Sequence, residues 1–230
     1  MRPRAASRST GWGRPTPTTE GPGPGGTLRN PDAAADWDRR YSEQDLIFSA
    51  EPTSILVELV AELSPGRALD LGAGEGRNTL WLAQQGWRVT AVDFSRTGLA
   101  KAQRRARADG LDISCVHADL REHQPPVQAF DLVLMAFVHP LPDQRPTIFR
   151  RAADAVAPGG HLLAVGRDLS DCHSGYGGPS DPRRRYTPQR LAGAFPGLQE
   201  LRRDAVRRPP RPDEDPPGPT DTVVWCTRPS

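Results

Sequence analysis

The chain reads as an α/β domain, a largely parallel sheet with helices on both faces. Three observations predict it. Ala68 to Leu71 is a short apolar run fit for a buried strand, and glycines follow it at 72, 74 and 76 before an apolar helix begins at Asn78. Strand, glycine turn, helix is the layout of a nucleotide-binding crossover. A second apolar strand, Arg88 to Val92, ends at Asp93, 21 residues after Gly72. A third, Phe130 to Phe137, is apolar almost throughout, as a strand buried on both faces must be.

The charges around the turn narrow its ligand. A pyrophosphate-binding turn has the spacing G-x-G-x-x-G. Here the spacing is G-x-G-x-G, Asp70 ends the strand and Glu75 lies inside the loop. Two carboxylates repel a pyrophosphate in a partly desolvated turn. They suit a ligand bearing an ammonium and a sulfonium, and S-adenosylmethionine is such a ligand. Asp93 at the tip of the next strand is placed for ribose hydroxyls, which serves NAD equally well.

Leu69-Asp70-Leu71-Gly72-Ala73-Gly74-Glu75-Gly76 resembles motif I of the class I S-adenosylmethionine-dependent methyltransferases, and Val92-Asp93 resembles the acidic motif after it. The resemblance runs from about Trp37 to Arg228. It implies a Rossmann-like sheet of seven strands, mostly parallel, with the last strand antiparallel. It also implies a cofactor site of Asp70, Gly72, Ala73, Gly74, Gly76, Asn78, Asp93, Phe94, Asp119, Leu120 and Ala136. In the family the acid at the position of Asp119 meets the adenine amino group; the alternative is a turn cap. Trp37-Asp38-Arg39-Arg40-Tyr41, with Phe48-Ser49-Ala50-Glu51-Pro52, resembles the branch of small bacterial methyltransferases akin to tellurite-resistance and thiopurine methyltransferases. There a Trp-bearing N-terminal helix covers the site, so Trp37 and Tyr41 are lid candidates, with plain packing as the alternative.

Composition bounds the remaining classes. The chain has 230 residues and a net charge of +2, which makes no electrostatic case for nucleic acid. Lys101 is the one lysine among 30 basic residues, a bias that reads as the habit of a GC-rich genome. The cysteines at 115, 172 and 226 form neither a zinc spacing nor a disulfide frame, which suits a cytoplasmic setting, and no metal site is expected. No apolar run is long enough to span a membrane, so none is expected as a partner.

In chain order, residues 1–30 are rich in Pro, Gly and Arg and are expected as a disordered leader. Residues 31–230 form the domain. Residues 31–63 hold two helices, the first with Asp32 as its cap, the second from Ser54 to Leu63. After the glycine turn a helix closes at Gly86. Ser95 caps a helix from Arg96 to Ala108, whose Lys101, Arg104, Arg105 and Arg107 read as a solvated face, with a phosphate patch as the alternative. A third strand runs from Ile113 to His117. Past the fourth strand, Ala136 to His139 enter the crevice, and His139 is the acid/base candidate because imidazole titrates near neutrality. A helix from Gln144 to Ala157 then turns at Pro158-Gly159-Gly160 into strand five, His161 to Gly166. Residues 168–188 read as a substrate loop, with His173, Tyr176 and Tyr186 as contacts and Arg183 to Arg185 as solvated arginines, attraction of an anionic substrate being the alternative. Thr187-Pro188 predicts a helix to about Phe195, Leu198 to Arg207 a sixth strand, residues 209–220 a mobile connector, and Thr222 to Thr227 the last strand.

The expected function is methyl transfer from S-adenosylmethionine to an O, N, S or chalcogen nucleophile on a small molecule. The rivals are an NAD-linked oxidoreductase and a non-catalytic cofactor-binding regulatory module.

Overall fold

The computed structural model describes residues 32–209 and 218–230. The leader expected over residues 1–30 and most of the connector expected over 209–220 lie outside them. Seven strands form one sheet: β1 (Arg67–Leu71), β2 (Arg88–Asp93), β3 (Ile113–His117), β4 (Phe130–Ala136), β5 (Val156–Arg167), β6 (Gln199–Arg207) and β7 (Thr220–Thr227). Their order is β3-β2-β1-β4-β5-β7-β6. The first five are parallel, and β7 runs antiparallel between β5 and β6. The resemblance thus implied the right sheet. The middle position belongs to β4.

Strand β4 shows why the sheet lies where it does. Leu132 and Leu134 pack with Ile55, Leu56, Val60 and Leu82 on one face, while Val133 and Met135 pack with Ile148, Phe149 and Ala152 on the other. Successive strand residues alternate faces, so an unbroken apolar run demands helices on both sides. They are α1 (Ala34–Ser42), α2 (Ser54–Val60), α3 (Arg77–Gln84), α4 (Arg96–Ala108) and α5 (Arg145–Ala155). Ser95 caps α4, its side chain accepting from the Gly98 N–H at 3.0 Å.

Five local expectations are corrected. Asp32 does not cap α1; the cap position is Ala33, and the Asp32 carboxylate pairs with Arg184 at 2.6 Å. Helix α2 stops at Val60, short of Leu63. Pro158-Gly159-Gly160 is no turn ahead of β5, because the strand already begins at Val156 and carries an irregularity opposite Phe130 to Leu132. The segment after Thr187 forms turns rather than a helix. Thr187 Oγ1 still accepts from the Arg190 N–H, but Arg190 reaches the Pro182 carbonyl and Gly193 adopts a positive φ of 65° within two turns. Finally, the arginines at 184 and 185 are buried rather than solvated.

Candidate active site

The glycine turn stands at the carboxyl end of β1, where ligands of open α/β sheets bind. Gly72, Gly74 and Gly76 have φ of 76°, 54° and 81°, a region that suits glycine. The Gly72 and Ala73 N–H groups donate to Val92 O at 2.8 and 3.1 Å, which ties the turn to β2. Each glycine also admits a neighbour. A Cβ on Gly74 would stand 2.6 Å from the Tyr41 hydroxyl, and one on Gly76 would meet Ala102 Cβ at 2.6 Å. One on Gly72 would run into Val138. The first two contacts bring α1 and α4 against the turn, and the third sets the chain after β4 beside it.

Two carboxylates frame this backbone. Asp70 is buried at the end of β1 and accepts from Thr79 Oγ1 at 2.6 Å. Burial pushes its pKa up to about 6, the Thr79 bond opposing. Asp93 accepts from the Gly74 N–H and the Ser95 N–H, both at 2.8 Å, and burial raises its pKa as well. A carboxylate has about four lone-pair sites, so Asp93 retains acceptor capacity. The structure therefore brings together Asp70, Gly72, Ala73, Gly74, Gly76 and Asp93. Phe94 follows directly, its carbonyl 2.9 Å from His117 Nε2.

Glu75 has a different task from the one its sequence position suggests. Its side chain is buried, 2.9 Å from Lys101 Nζ, and accepts from the Ile47 and Phe48 N–H groups at 3.0 to 3.2 Å. Lys101 also donates to the Gln44 carbonyl. The lysine read as part of a solvated face is thus the counter-ion of a carboxylate inside the turn. Asn78 is similarly occupied, its Oδ1 accepting from the Thr53 N–H at 2.9 Å. Both side chains bind the incoming segment 44–53 to the turn instead of facing a ligand.

Helix α1 lies over the same end of the sheet. Asp38 accepts from Ser95 Oγ at 2.6 Å and from the Thr97 N–H at 2.9 Å at the start of α4. Trp37 and Tyr41 have ring centroids 5.5 Å apart, and Phe48 lies 6.4 Å from each. Tyr41 is buried and Trp37 half-buried. On the far side of β2, Asp119 is held by its neighbour Arg121, with Nε 2.9 to 3.0 Å from both carboxylate oxygens. Asp119 Oδ1 also accepts from the Arg121 N–H at 2.8 Å, which is the turn-cap alternative; an adenine contact there has to compete with the guanidinium. Leu120 beside it is half-buried, as is Ala136 at the end of β4.

His139 is corrected from acid/base candidate to a fixed neutral imidazole. Its Nδ1 lies 3.1 Å from the Arg184 carbonyl, and its Nε2 accepts from the Arg167 N–H at 3.4 Å. Donating at one nitrogen and accepting at the other defines one neutral tautomer and leaves no lone pair for a substrate proton. The ring stacks on Tyr186 at 5.1 Å. Desolvation, together with Arg167, Arg185 and Arg145, pulls its pKa down to about 3. Tyr186 is likewise no substrate contact. It is buried and donates its hydroxyl to the Val138 carbonyl. In the loop itself His173 is exposed and Tyr176 half-buried, and both lie outside this cluster of bonds.

Sequence reasoning missed Arg77, Arg167 and Asp221. Arg77 is the first residue of α3, and Arg167 ends β5. Both guanidinia stand over the Phe137 ring, at 5.2 and 5.5 Å. Arg167 pairs with buried Asp221 at 3.3 Å, and Arg208 pairs with the same carboxylate at 2.8 Å. A signal was available at Arg77, since a cation at a helix N-terminus is disfavoured by the helix dipole and so asks for another purpose.

The comparisons with known proteins agree with this geometry. Residues 68–160 match the family of methyltransferase domains. The chain is 35% identical over 121 residues to a demethylmenaquinone methyltransferase of Thermus thermophilus, covering 47% of this chain and 50% of that one. It is 26% identical over 118 residues to the probable S-adenosyl-L-methionine-dependent methyltransferase TehB of Haemophilus influenzae, covering 50% of this chain and 41% of that one. The chain spans about half the length of the relatives it matches. Its fold superposes on the N-methyltransferase NodS of Bradyrhizobium japonicum in complex with S-adenosyl-L-homocysteine, with TM-score 0.66, 18% identity, 86% of this chain and 100% of that chain covered. Residues 68–160 thus carry the methyltransferase domain match, and the chain has the fold of the methyltransferase structure on which it superposes.

Proposed function

We propose that the protein transfers a methyl group from S-adenosylmethionine to a nucleophile on a small molecule. One observation carries the reading: the bare backbone of Gly72 to Gly76 lies between two buried carboxylates, Asp70 and Asp93. That cradle fits a ligand with a cationic amino-acid end and a ribose. A pyrophosphate fits it poorly, which disfavours the NAD reading. The cofactor supplies an electrophilic methyl on sulfur.

The residues of this chain bind, orient and exclude water. Asp70 faces the amino end electrostatically, and Asp93 uses its remaining lone pairs for ribose hydroxyls. Trp37, Tyr41 and Phe48 form the apolar cover expected of a lid, and the loop from Asp168 to Tyr186 supplies the opposite wall, with His173 and Tyr176 on its outer part. Alignment and desolvation suffice for an acceptor that is already a nucleophile near neutrality. With His139 locked in its neutral form, no general base is assigned, and the acceptors favoured are amines, thiolates or chalcogen anions over unactivated hydroxyls. The cytoplasmic setting is part of the same proposal. Among the described residues no helix is long and apolar enough to cross a membrane.

Calorimetry with S-adenosylmethionine, S-adenosylhomocysteine and NAD tests the reading. The first two should bind and NAD should not. Asp93→Ala should weaken S-adenosylhomocysteine by about 1.5–3 kcal/mol, the range for hydrogen bonds to a charged group. Unchanged affinity in a folded variant removes Asp93 from the site, and NAD binding alone overturns the function. A variant-free protein that binds cofactor yet methylates nothing in a metabolite extract supports the regulatory rival.

A further inference from the structure

We propose that Arg77 and Arg167, set over the Phe137 ring, form a site for an anionic oxygen group of the methyl acceptor, a carboxylate or a phosphate ester. The proposal rests on the methyltransferase reading and names the substrate class of that site.

Position comes first. Arg77 opens α3 after the glycine turn, Phe137 follows β4, Arg167 ends β5, and Asp221 is the second residue of β7 and the register partner of Arg167. All four stand at the carboxyl edge of the parallel strands, next to the cradle of Asp70 and Gly72. This is where an acceptor must lie to meet a methyl group held by that cradle.

Charge is the second argument. Three guanidinia, Arg77, Arg167 and Arg208, surround the one carboxylate of Asp221, whose two oxygens are taken by Arg167 and Arg208. The Arg77 guanidinium makes no hydrogen bond to any described residue, although Asp221 and Asp70 attract it from a distance. Burial and the neighbouring arginines hold Arg77 and Arg167 below the usual guanidinium range, Arg167 at about 10. A desolvated cation without a hydrogen-bonding partner is costly, and an oxyanion in the fork of its N–H groups removes that cost. Arg185, which also faces Arg167, adds to the positive field rather than relieving it.

Strain is the third. Phe137 has a φ of 59°, and a bulky residue in that region is an outlier. Its N–H donates to Val165 O at 2.7 Å, which fixes the peptide while the ring is presented to both guanidinia. Strained residues persist where the surroundings over-determine them, and they cluster at ligand clamps. The ring aligns the two cations without neutralising them.

The test uses the full-length protein loaded with S-adenosylhomocysteine and titrated with benzoate and with phenyl phosphate. The wild type should bind at least one, and the stronger probe tells carboxylate from phosphate. Arg77→Met and Arg167→Met should each weaken that probe at least about tenfold, equivalent to about 1.4 kcal/mol. Their affinity for S-adenosylhomocysteine should stay within about threefold of wild type, well under that step. Arg77→Met loses no hydrogen bond to the protein, so it decides the matter if Arg167→Met proves unfolded in a denaturant melt. Probe affinity unchanged in Arg77→Met overturns the site. So does a tenfold loss of S-adenosylhomocysteine with the probe unmoved, which would assign the guanidinium to the carboxylate of the cofactor. Uptake of S-adenosylhomocysteine with neither probe bound sinks the anion site alone. A protein that takes the probe but no S-adenosylhomocysteine sinks the methyltransferase reading and keeps the anion site.

Discussion

The two walls of the crevice are built on different principles. The cofactor wall, Arg67 to Ser95, is local in sequence: its glycines, its carboxylates and the bonds from the Gly72, Ala73 and Gly74 N–H groups lie within one strand-turn-helix-strand unit. The opposite wall, residues 139–144 and 168–186, has little regular structure and is latched by arginines to carbonyl oxygens. Arg145 reaches the Pro140 carbonyl at 3.2 Å and the Arg183 carbonyl at 2.6 Å, and Arg184 reaches the His139 carbonyl at 3.0 Å. Arg185 holds the Pro179 and Gly177 carbonyls, each at 2.9 Å. A buried loop must satisfy its backbone polar groups, and where no strand partner exists a multi-donor guanidinium does so. The difference teaches that the first wall takes its shape from backbone geometry and is anchored by one buried ion pair, while the second depends on several long side chains for its shape.

Breaking the ion pair that anchors the first wall should have the largest effect. Lys101→Met leaves Glu75 buried with only backbone donors, and removing one partner of a buried pair costs about 3–5 kcal/mol. Urea melts should show a loss near the lower end of that range, because the Ile47 and Phe48 N–H groups remain. A loss below 1 kcal/mol, on the order of an exposed ion pair, would mean that the anchor is solvated after all.

The matching cut in the second wall is Arg145→Met. Its guanidinium lies 4.8 Å from the Tyr186 ring centroid as well as on the two carbonyls. Losing hydrogen bonds to a charged group predicts a cost of about 1.5–3 kcal/mol. If the walls are independent, affinity for S-adenosylhomocysteine should stay unchanged. A fall in both stability and cofactor affinity would show that the walls act as one unit.

The smallest effect sharpens the role of His139. Its folded pKa, about 3, lies below the ordinary 6.5, so the unfolded chain binds the proton first as pH falls. The stability it contributes is full above pH 6.5 and is lost as pH falls toward 3. One extra proton on the unfolded state amounts to about 1 kcal/mol between pH 6.5 and 5.5. His139→Gln should flatten that part of the stability-pH curve by this amount. Methyl-transfer rate should keep its pH profile in the variant; loss of the acidic limb would restore His139 as a base.

The chain's own order of residues determined the parts of the molecule that rest on short-range rules. Strand β3 and helix α4 with its Ser95 cap fall where the reading put them, and β1, β2, β4 and β6 fall within a residue of it, because period, caps and glycine turns act over a few residues. Asp70, the three glycines and Asp93 were legible for the same reason. Tertiary structure decided everything that depends on which distant group satisfies a charge. Glu75 looked like a ligand contact until Lys101, 26 residues on, took it. Asp32 looked like a cap until Arg184, 152 residues away, paired with it. His139 had the position of a base, but Arg184 and Arg167 engaged both of its nitrogens. A charged or titratable side chain has several partners within reach of its chemistry, and only folding chooses the one that desolvation makes cheapest.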